Sequence, residues 1–315
     1  MMEYVKLGNT DITVSKLCFG SLTIGPLQAD LPVIEAGRII AEGLMAGINF
    51  IDTAELYGNY PHIREAIKQA KILPVIASKS YAYSKEQAAE SLEKARRELD
   101  LDVIDIFMLH EQETRLTLRG HREALEYYMD AKAKGKIRAV GVSTHNVEVA
   151  EAAVNMPEIE VLHPLINYKG LGIGDGTIEE MLAAVEKCYN AGKGIYAMKP
   201  LGGGNFIGDF HNSLRFVMDI PFIHSIALGM QSSEEVIMNT CIFEDKPVDS
   251  CILEVLSKKR RRLHVDYWCV GCGSCIGKCR QGALKLKDGK ATADENCILC
   301  GYCAVACPEF AIKIV

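Results

Sequence analysis

The chain has 315 residues, 49% of them hydrophobic, and a formal net charge of −6. That mild acidic excess excludes a nucleic-acid binder, which needs a basic face to neutralise phosphates. No apolar run is long and clean enough to span a bilayer, and residues 1–9 lack the apolar core of a secretory signal, so a cytoplasmic location is expected.

In chain order, residues 4–14 contain Gly8-Asn9 between alternating residues and read as a hairpin plugging the bottom of a barrel. From about Ser15 to Phe243, β-rich runs alternate with amphipathic helical stretches. Strands are expected at 16–19, 49–52, 74–77, 103–109, 137–142, 159–166, 194–198 and 222–228. Helices are expected at 33–46, 60–69, 84–99, 121–133, 147–154, 178–190, 208–219 and 232–240. Ser84 with Gln87 three residues on has the pattern of a capping box. Gly47, Gly135 and Gly192 fall just after helices, where a left-handed residue is wanted. Regular alternation implies parallel strands with right-handed crossovers, and eight such units close into a (β/α)₈ TIM barrel, an α/β fold of about 250 residues.

Residues 244–262 read as a helix ending in Lys258-Lys259-Arg260-Arg261-Arg262. The domain boundary is drawn there, giving a barrel over 1–262 and a C-terminal ferredoxin-like domain over 263–315. The basic run is either a solvated helix end suited to the helix dipole or a docking surface for an acidic redox protein.

The tail carries Cys269, Cys272, Cys275 and Cys279, then Cys297, Cys300, Cys303 and Cys307 followed by Pro308. This is C-x₂-C-x₂-C-x₃-C twice, the run of bacterial two-cluster ferredoxins, in which the fourth cysteine serves the other cluster. The spacing assigns Cys269, Cys272, Cys275 and Cys307 to one [4Fe–4S] cluster and Cys297, Cys300, Cys303 and Cys279 to a second. Zinc sites use paired cysteines with longer spacers, and disulfides need an oxidising compartment. Arg280 stands where proline would follow the first run. Cys18, Cys188, Cys241 and Cys251 are isolated and read as reduced thiols.

Chemistry in such a barrel collects at the carboxyl ends of the strands. Those positions hold Asp52, Tyr57 in Asp52-Thr53-Ala54-Glu55-Leu56-Tyr57-Gly58, Lys79 after Ser78, and His110 after Leu109. An acid, a phenol, an amine and an imidazole on one rim suit carbonyl reduction or its reverse. An alkoxide left by hydride addition needs a proton. A phenol, ordinarily with a pKa near ~10, becomes a better acid beside an ammonium. Tyr57 is therefore expected to be the acid, Lys79 its tuner, Asp52 the anchor of Lys79, and His110 the group that orients the substrate oxygen. Each residue alone has a duller reading as cap, surface filler or backbone-bonded imidazole.

These motifs, with Gly135-Lys136-Ile137-Arg138-Ala139-Val140-Gly141-Val142-Ser143, resemble the aldo-keto reductase superfamily over residues 4–240. With the tail, the chain is similar to its ferredoxin-fused branch. The resemblance implies a small carbonyl or activated C=C substrate and a nicotinamide cofactor, NAD or NADP. It implies that Ser143 and Asn167 hold the carboxamide with His163 nearby, and that Leu201-Gly202-Gly203-Gly204 runs along the pyrophosphate. Gly20, Ser21, Gln231 and Asn239 would also lie near the cofactor. Met198 stands where many relatives stack an aromatic on the nicotinamide. The stretch Gly229-Met230-Gln231-Ser232-Ser233-Glu234-Glu235 carries two acids and no cation, so a 2′-phosphate is expected to be repelled there.

Cubane clusters pass single electrons, whereas nicotinamide takes a hydride. A flavin in the barrel mouth or in a partner flavoprotein would reconcile the two, a ferredoxin partner would extend the one-electron chain, and the clusters could instead be structural or sense oxygen. The alternative function is a non-catalytic electron relay that keeps the barrel as a scaffold.

Overall fold

The computed structural model describes residues 1–315. An N-terminal hairpin, β1 (Tyr4–Lys6) and β2 (Thr13–Ser15), precedes eight parallel strands. These are β3 (Leu17–Gly20), β4 (Phe50–Asp52), β5 (Val75–Ser80), β6 (Ile104–Gln112), β7 (Ile137–Thr144), β8 (Val161–Pro164), β9 (Gly194–Met198) and β10 (Ser225–Gly229). They pair in sequence order and β10 pairs with β3, which closes the barrel. Leu7, Ile12 and Val14 pack with Cys18, Phe50, Ile106 and Tyr196 inside it, so the hairpin seals the end remote from the strand carboxyl termini.

The surrounding helices are α1 (Val33–Met45), α2 (Tyr60–Ala70), α3 (Lys85–Leu99), α4 (Arg115–Gly120), α5 (Arg122–Ala133), α6 (Val147–Val154), α7 (Ile178–Asn190), α8 (Phe210–Met218) and α9 (Ser233–Phe243). None is long and apolar enough to cross a membrane. Their apolar faces and the outer faces of the strands form the main core. α4 is an addition to the expected list, capped reciprocally by Thr114 and Thr117. At α3 the expected box is only half formed. Ser84 Oγ accepts from the Gln87 amide, while the Gln87 carboxamide reaches Tyr83 N rather than Ser84 N. Gly47, Gly135 and Gly192 all have positive φ.

The segment 244–262 departs from its expected form. Only α10 (Ser250–Ser257) is helical, because Pro247 has no amide proton to give an earlier turn and the basic run leaves the helix axis. The tail then forms β11 (Leu263–Val265), β12 (Leu284–Lys287), β13 (Lys290–Ala293), α11 (Tyr302–Val305) and β14 (Ile312–Ile314). β11 pairs with β14 and β12 with β13, both antiparallel.

This tail lies across the barrel mouth. Ile314 N donates to the Gly203 carbonyl at 3.0 Å, and Asn205 Nδ2 donates to the Ile312 carbonyl at 3.3 Å. Phe310 packs with Leu165 and Met198 in a small apolar cluster that joins the two parts. Gly204, at φ +86°, has no room for a Cβ, which would collide with the Ile314 carbonyl. Gly204→Ala should therefore loosen the tail. Limited proteolysis within 258–262 should accelerate by about tenfold, the factor that ~1.4 kcal/mol of lost docking produces; an unchanged cleavage rate would show that the contact is dispensable.

Candidate active site

The rim residues converge. Lys79 Nζ lies 2.7 Å from Asp52 Oδ1 and donates to the Thr53 carbonyl at 2.8 Å. Tyr196 donates to the same Asp52 oxygen at 2.8 Å. Burial alone would raise the Asp52 carboxyl, but Lys79, His163 and these hydrogen bonds hold it below its ordinary value. Lys79 Nζ also sits 5.0 Å from the Tyr57 ring centroid, and the Tyr57 and His110 rings meet edge to face at 5.8 Å. Burial drives the Tyr57 hydroxyl well above its ordinary value, with Asp52 and Glu111 adding to the effect. That corrects the expectation that the ammonium lowers it. The charge of Lys79 is directed at Asp52, and Tyr57 is a neutral phenol with its proton in place. Burial likewise pushes His110 down to about 3, so its imidazole is neutral.

Beside this tetrad is a second polar group that sequence reasoning missed. β6 carries one extra residue between Leu109 and Gln112 relative to β7, and Glu111 there has φ +45°. The bulge breaks strand alternation, so consecutive residues His110 and Glu111 both face the mouth. Tyr81 stacks on His110 at 4.4 Å and donates to the Glu111 carboxylate. His145 Nε2 lies 3.2 Å from Glu111 Oε1 and 2.8 Å from Lys199 Nζ. A carboxylate directly after His110 and a phenol two residues after Lys79 were the available signals.

Both groups line one cavity of about 1410 Å³ that continues along the groove to the linker. Gly20, Ser143, His163, Met198, Leu201, Gln231 and Asn239 line it. Ser143 Oγ accepts from Glu111 N, and His163 Nδ1 donates to the Tyr196 carbonyl. Three expected cofactor residues are not brought to it. Ser21 Oγ donates to the Asp52 carbonyl, which makes it a latch behind the tetrad. Asn167 has its carboxamide engaged by Leu171 and Lys169 of its own loop. Gly202 turns against the Phe206 ring. On the glycine loop, Gly203 meets the last strand of the tail.

At the far end of the groove Lys259 and Arg261 of the basic run turn inward, while Lys258, Arg260 and Arg262 stay exposed. Lys259 Nζ donates to Glu235 Oε1 at 2.7 Å and to Gln231 Oε1 at 3.1 Å, and Arg261 lies 3.5 Å from the same Glu235 oxygen. The linker thus supplies cations that 229–235 lacks and pairs with one of its two acids, Glu235. Asn239 Oδ1 is buried there without a partner.

In the tail, Cys269, Cys272, Cys275 and Cys307 line one small cavity. Burial raises the Cys275 thiol, with Cys307, Cys269 and Cys272 adding to the shift. Burial pushes Cys303 up to about 11, assisted by Cys297 and Cys300. Cys279 packs against the same tail core. Soft sulfur donors gathered from two distant segments suit an iron–sulfur cube.

Residues 16–220 match the aldo/keto reductase family and residues 294–313 match the 4Fe-4S binding domain. The chain belongs to the aldo/keto reductase family. It is 24% identical over 215 residues to L-galactose dehydrogenase of Arabidopsis thaliana, covering 64% of this chain and 66% of that protein. It is 26% identical over 235 residues to the NADH-specific methylglyoxal reductase of Escherichia coli, covering 66% and 70%. The chain spans 66% of the length of the Arabidopsis relative and 62% of two others, from Mycobacterium and Glycine max, under two thirds of each. An aldo-keto reductase from Bacillus halodurans shares the fold at TM-score 0.64 and 20% identity, covering 82% of this chain and 96% of that one.

Proposed function

We propose that the chain is an iron–sulfur oxidoreductase that reduces a small carbonyl or activated C=C compound, or oxidises the corresponding alcohol, with Tyr57 as the proton donor. The observation that carries the reading is a tetrad, Asp52, Lys79 and His110 buried and Tyr57 half-buried, opening into a cavity roofed by the cysteine tail.

Tyr57 gives its proton to the substrate oxygen as charge develops there, and its neutral state over the working pH range suits a donor. His110 lines the cavity as a neutral imidazole, which can donate or accept a hydrogen bond there. It orients the oxygen toward Tyr57. Lys79 holds positive charge under the phenol, and Asp52, fixed by Tyr196, keeps Lys79 in register. The barrel over 1–262 and the tail over 263–315 act as one unit, because Phe310 touches Met198 at the cavity wall.

The groove from Met198 to Asn239 fits a dinucleotide, and Lys259 and Arg261 favour one with a 2′-phosphate, so NADP is the coenzyme this site prefers. Cys269, Cys272, Cys275 and Cys307, and Cys297, Cys300, Cys303 and Cys279, would hold two [4Fe–4S] clusters. When bound, the nicotinamide supplies hydride and the clusters supply single electrons.

The test is anaerobic purification, followed by iron and sulfide analysis and calorimetric titration with NADPH and NADH. NADPH should bind more tightly, and Lys259→Met with Arg261→Met should level the two affinities. Protein devoid of iron and sulfide, or without carbonyl-dependent oxidation of either coenzyme, would retract the reading.

A further inference from the structure

Two lysines face the tetrad's cavity from opposite parts of the chain. Lys199 follows β9 and has φ +59°, and Lys313 lies in β14 of the tail. Both line the cavity, and Lys313 is 3% exposed. Burial lowers the pKa of both, and that of Lys313 well below its ordinary value with Lys199 adding to the effect, so the charged pair is costly until an anion joins it. As ammoniums they offer three N–H donors each. Lys199 uses one toward His145 Nε2 at 2.8 Å, and its nearest acid, Glu111, is 4.0 Å away. Lys313 uses one toward the Phe310 carbonyl, and its nearest acid, Asp266, is 3.8 Å away. Neither acid is within hydrogen-bond reach, so four of the six N–H groups have no protein acceptor. Each lysine holds only a long ion pair: Tyr81 donates to the other oxygen of Glu111, and Asp266 Oδ2, the oxygen nearest Lys313, is itself buried without a hydrogen-bond partner.

The Phe310 ring stands beside both ammoniums, 5.1 Å from Lys199 Nζ and 3.2 Å from Lys313 Nζ to its centroid. Burying an ammonium whose donors stay unmade is costly. A pair of them on the wall of the tetrad's own cavity calls for an acceptor that arrives with the ligand. A carboxylate has two oxygens for two donor groups and a single charge. Either anion meets Glu111 and Asp266, 4.0 and 3.8 Å from the two lysine nitrogens, and a phosphate dianion would bring a second negative charge beside them that a carboxylate does not. We propose that Lys199 and Lys313 bind a carboxylate carried by the substrate, so that the iron–sulfur tail contributes a recognition residue to the barrel's pocket and the preferred substrates are short oxo-acids. The proposal rests on the reading of this cavity as the substrate site.

The test is calorimetric titration of the anaerobic holoprotein with phenylglyoxylate and with its neutral carboxamide, phenylglyoxylamide. The wild type should bind the carboxylate at least about tenfold more tightly, a margin of the size one charge-assisted contact produces. Lys313→Gln and Lys199→Gln should each bring the ratio of the two affinities toward one. Equal affinities in the wild type, no binding of either probe, or a ratio unchanged in both variants would overturn the proposal and leave the lysines as ties between the domains. Iron and sulfide content reports whether the tail stays assembled. Should Lys313→Gln lose its clusters, Lys199→Gln on the barrel side decides alone. Turnover does not enter this measurement. Selectivity without carbonyl reduction would sink the catalytic reading and spare the subsite, and reduction without selectivity would do the reverse.

Discussion

Tyr57→Phe should lower carbonyl turnover by about 10²- to 10⁴-fold, the usual contribution of a positioned general acid. Iron and sulfide content should stay at wild-type levels, because Tyr57 sits in the barrel rim and touches no cysteine of the tail. The loss belongs in kcat, since the phenol acts as charge develops on oxygen and contributes little to ground-state binding. The experiment also chooses between two phenols. Tyr81 stacks on His110 at 4.4 Å and could be mistaken for the donor. Its proton, however, is directed at the Glu111 carboxylate, and partial desolvation of the hydroxyl together with that acid raises its pKa, although the side chain is 42% exposed. Wild-type turnover in Tyr57→Phe, with loss in Tyr81→Phe, would reassign the acid.

The second large effect concerns stability in acid. Burial lowers His110 to about 3, His145 to about 3 and His163 to about 4. The unfolded chain takes up these protons near pH ~6.5, whereas the folded chain refuses them until pH 3–4. For groups depressed in this way, the stabilisation is complete above the unfolded value and is lost as pH falls below it. At pH 5 each histidine accounts for about 2 kcal/mol, so the three together cost the fold on the order of 5 kcal/mol relative to pH 7. The Asp52 carboxyl, also held low, adds its loss only at lower pH, below its ordinary value. Urea denaturation followed at 222 nm at pH 7 and pH 5 should show a marked fall in midpoint. His163→Asn should shrink the difference. A midpoint that does not move between the two would mean that the imidazoles find compensating partners when protonated.

The barrel was legible because its signals are local. Apolar runs of strand length alternate with helical periodicity, and each strand end carries its residue of the tetrad, so Asp52, Tyr57, Lys79 and His110 could be named from order alone. The cysteine spacing was equally local. What escaped were contacts that depend on how parts of the chain meet. Glu111 faces the mouth only because of a bulge, and a bulge leaves no mark on the hydrophobic pattern. Phe310 and Lys313 reach the cavity because the tail folds back over the rim, and nothing in their neighbourhood says so. A basic run suits the dipole at a helix C-terminus, which is all that local sequence says of it. Its true course is set by Glu235, more than twenty residues earlier. Ser21 and Asn167 have the right position in the chain for cofactor contacts, but their side chains are turned to the Asp52 carbonyl and to the 167–171 loop.

The roof of the cavity is built from β14, which follows the whole barrel in the chain. Chains fold largely from the amino end during synthesis, so the barrel can close and fill its core while the tail is still being made. For that interval the Gly203 carbonyl and the Met198 side chain face an open mouth. Entry of a coenzyme as large as a dinucleotide is easiest then, before β14 docks. A protein first closed over an empty groove would load slowly, and its exchange rate would be limited by undocking of Ile312–Ile314.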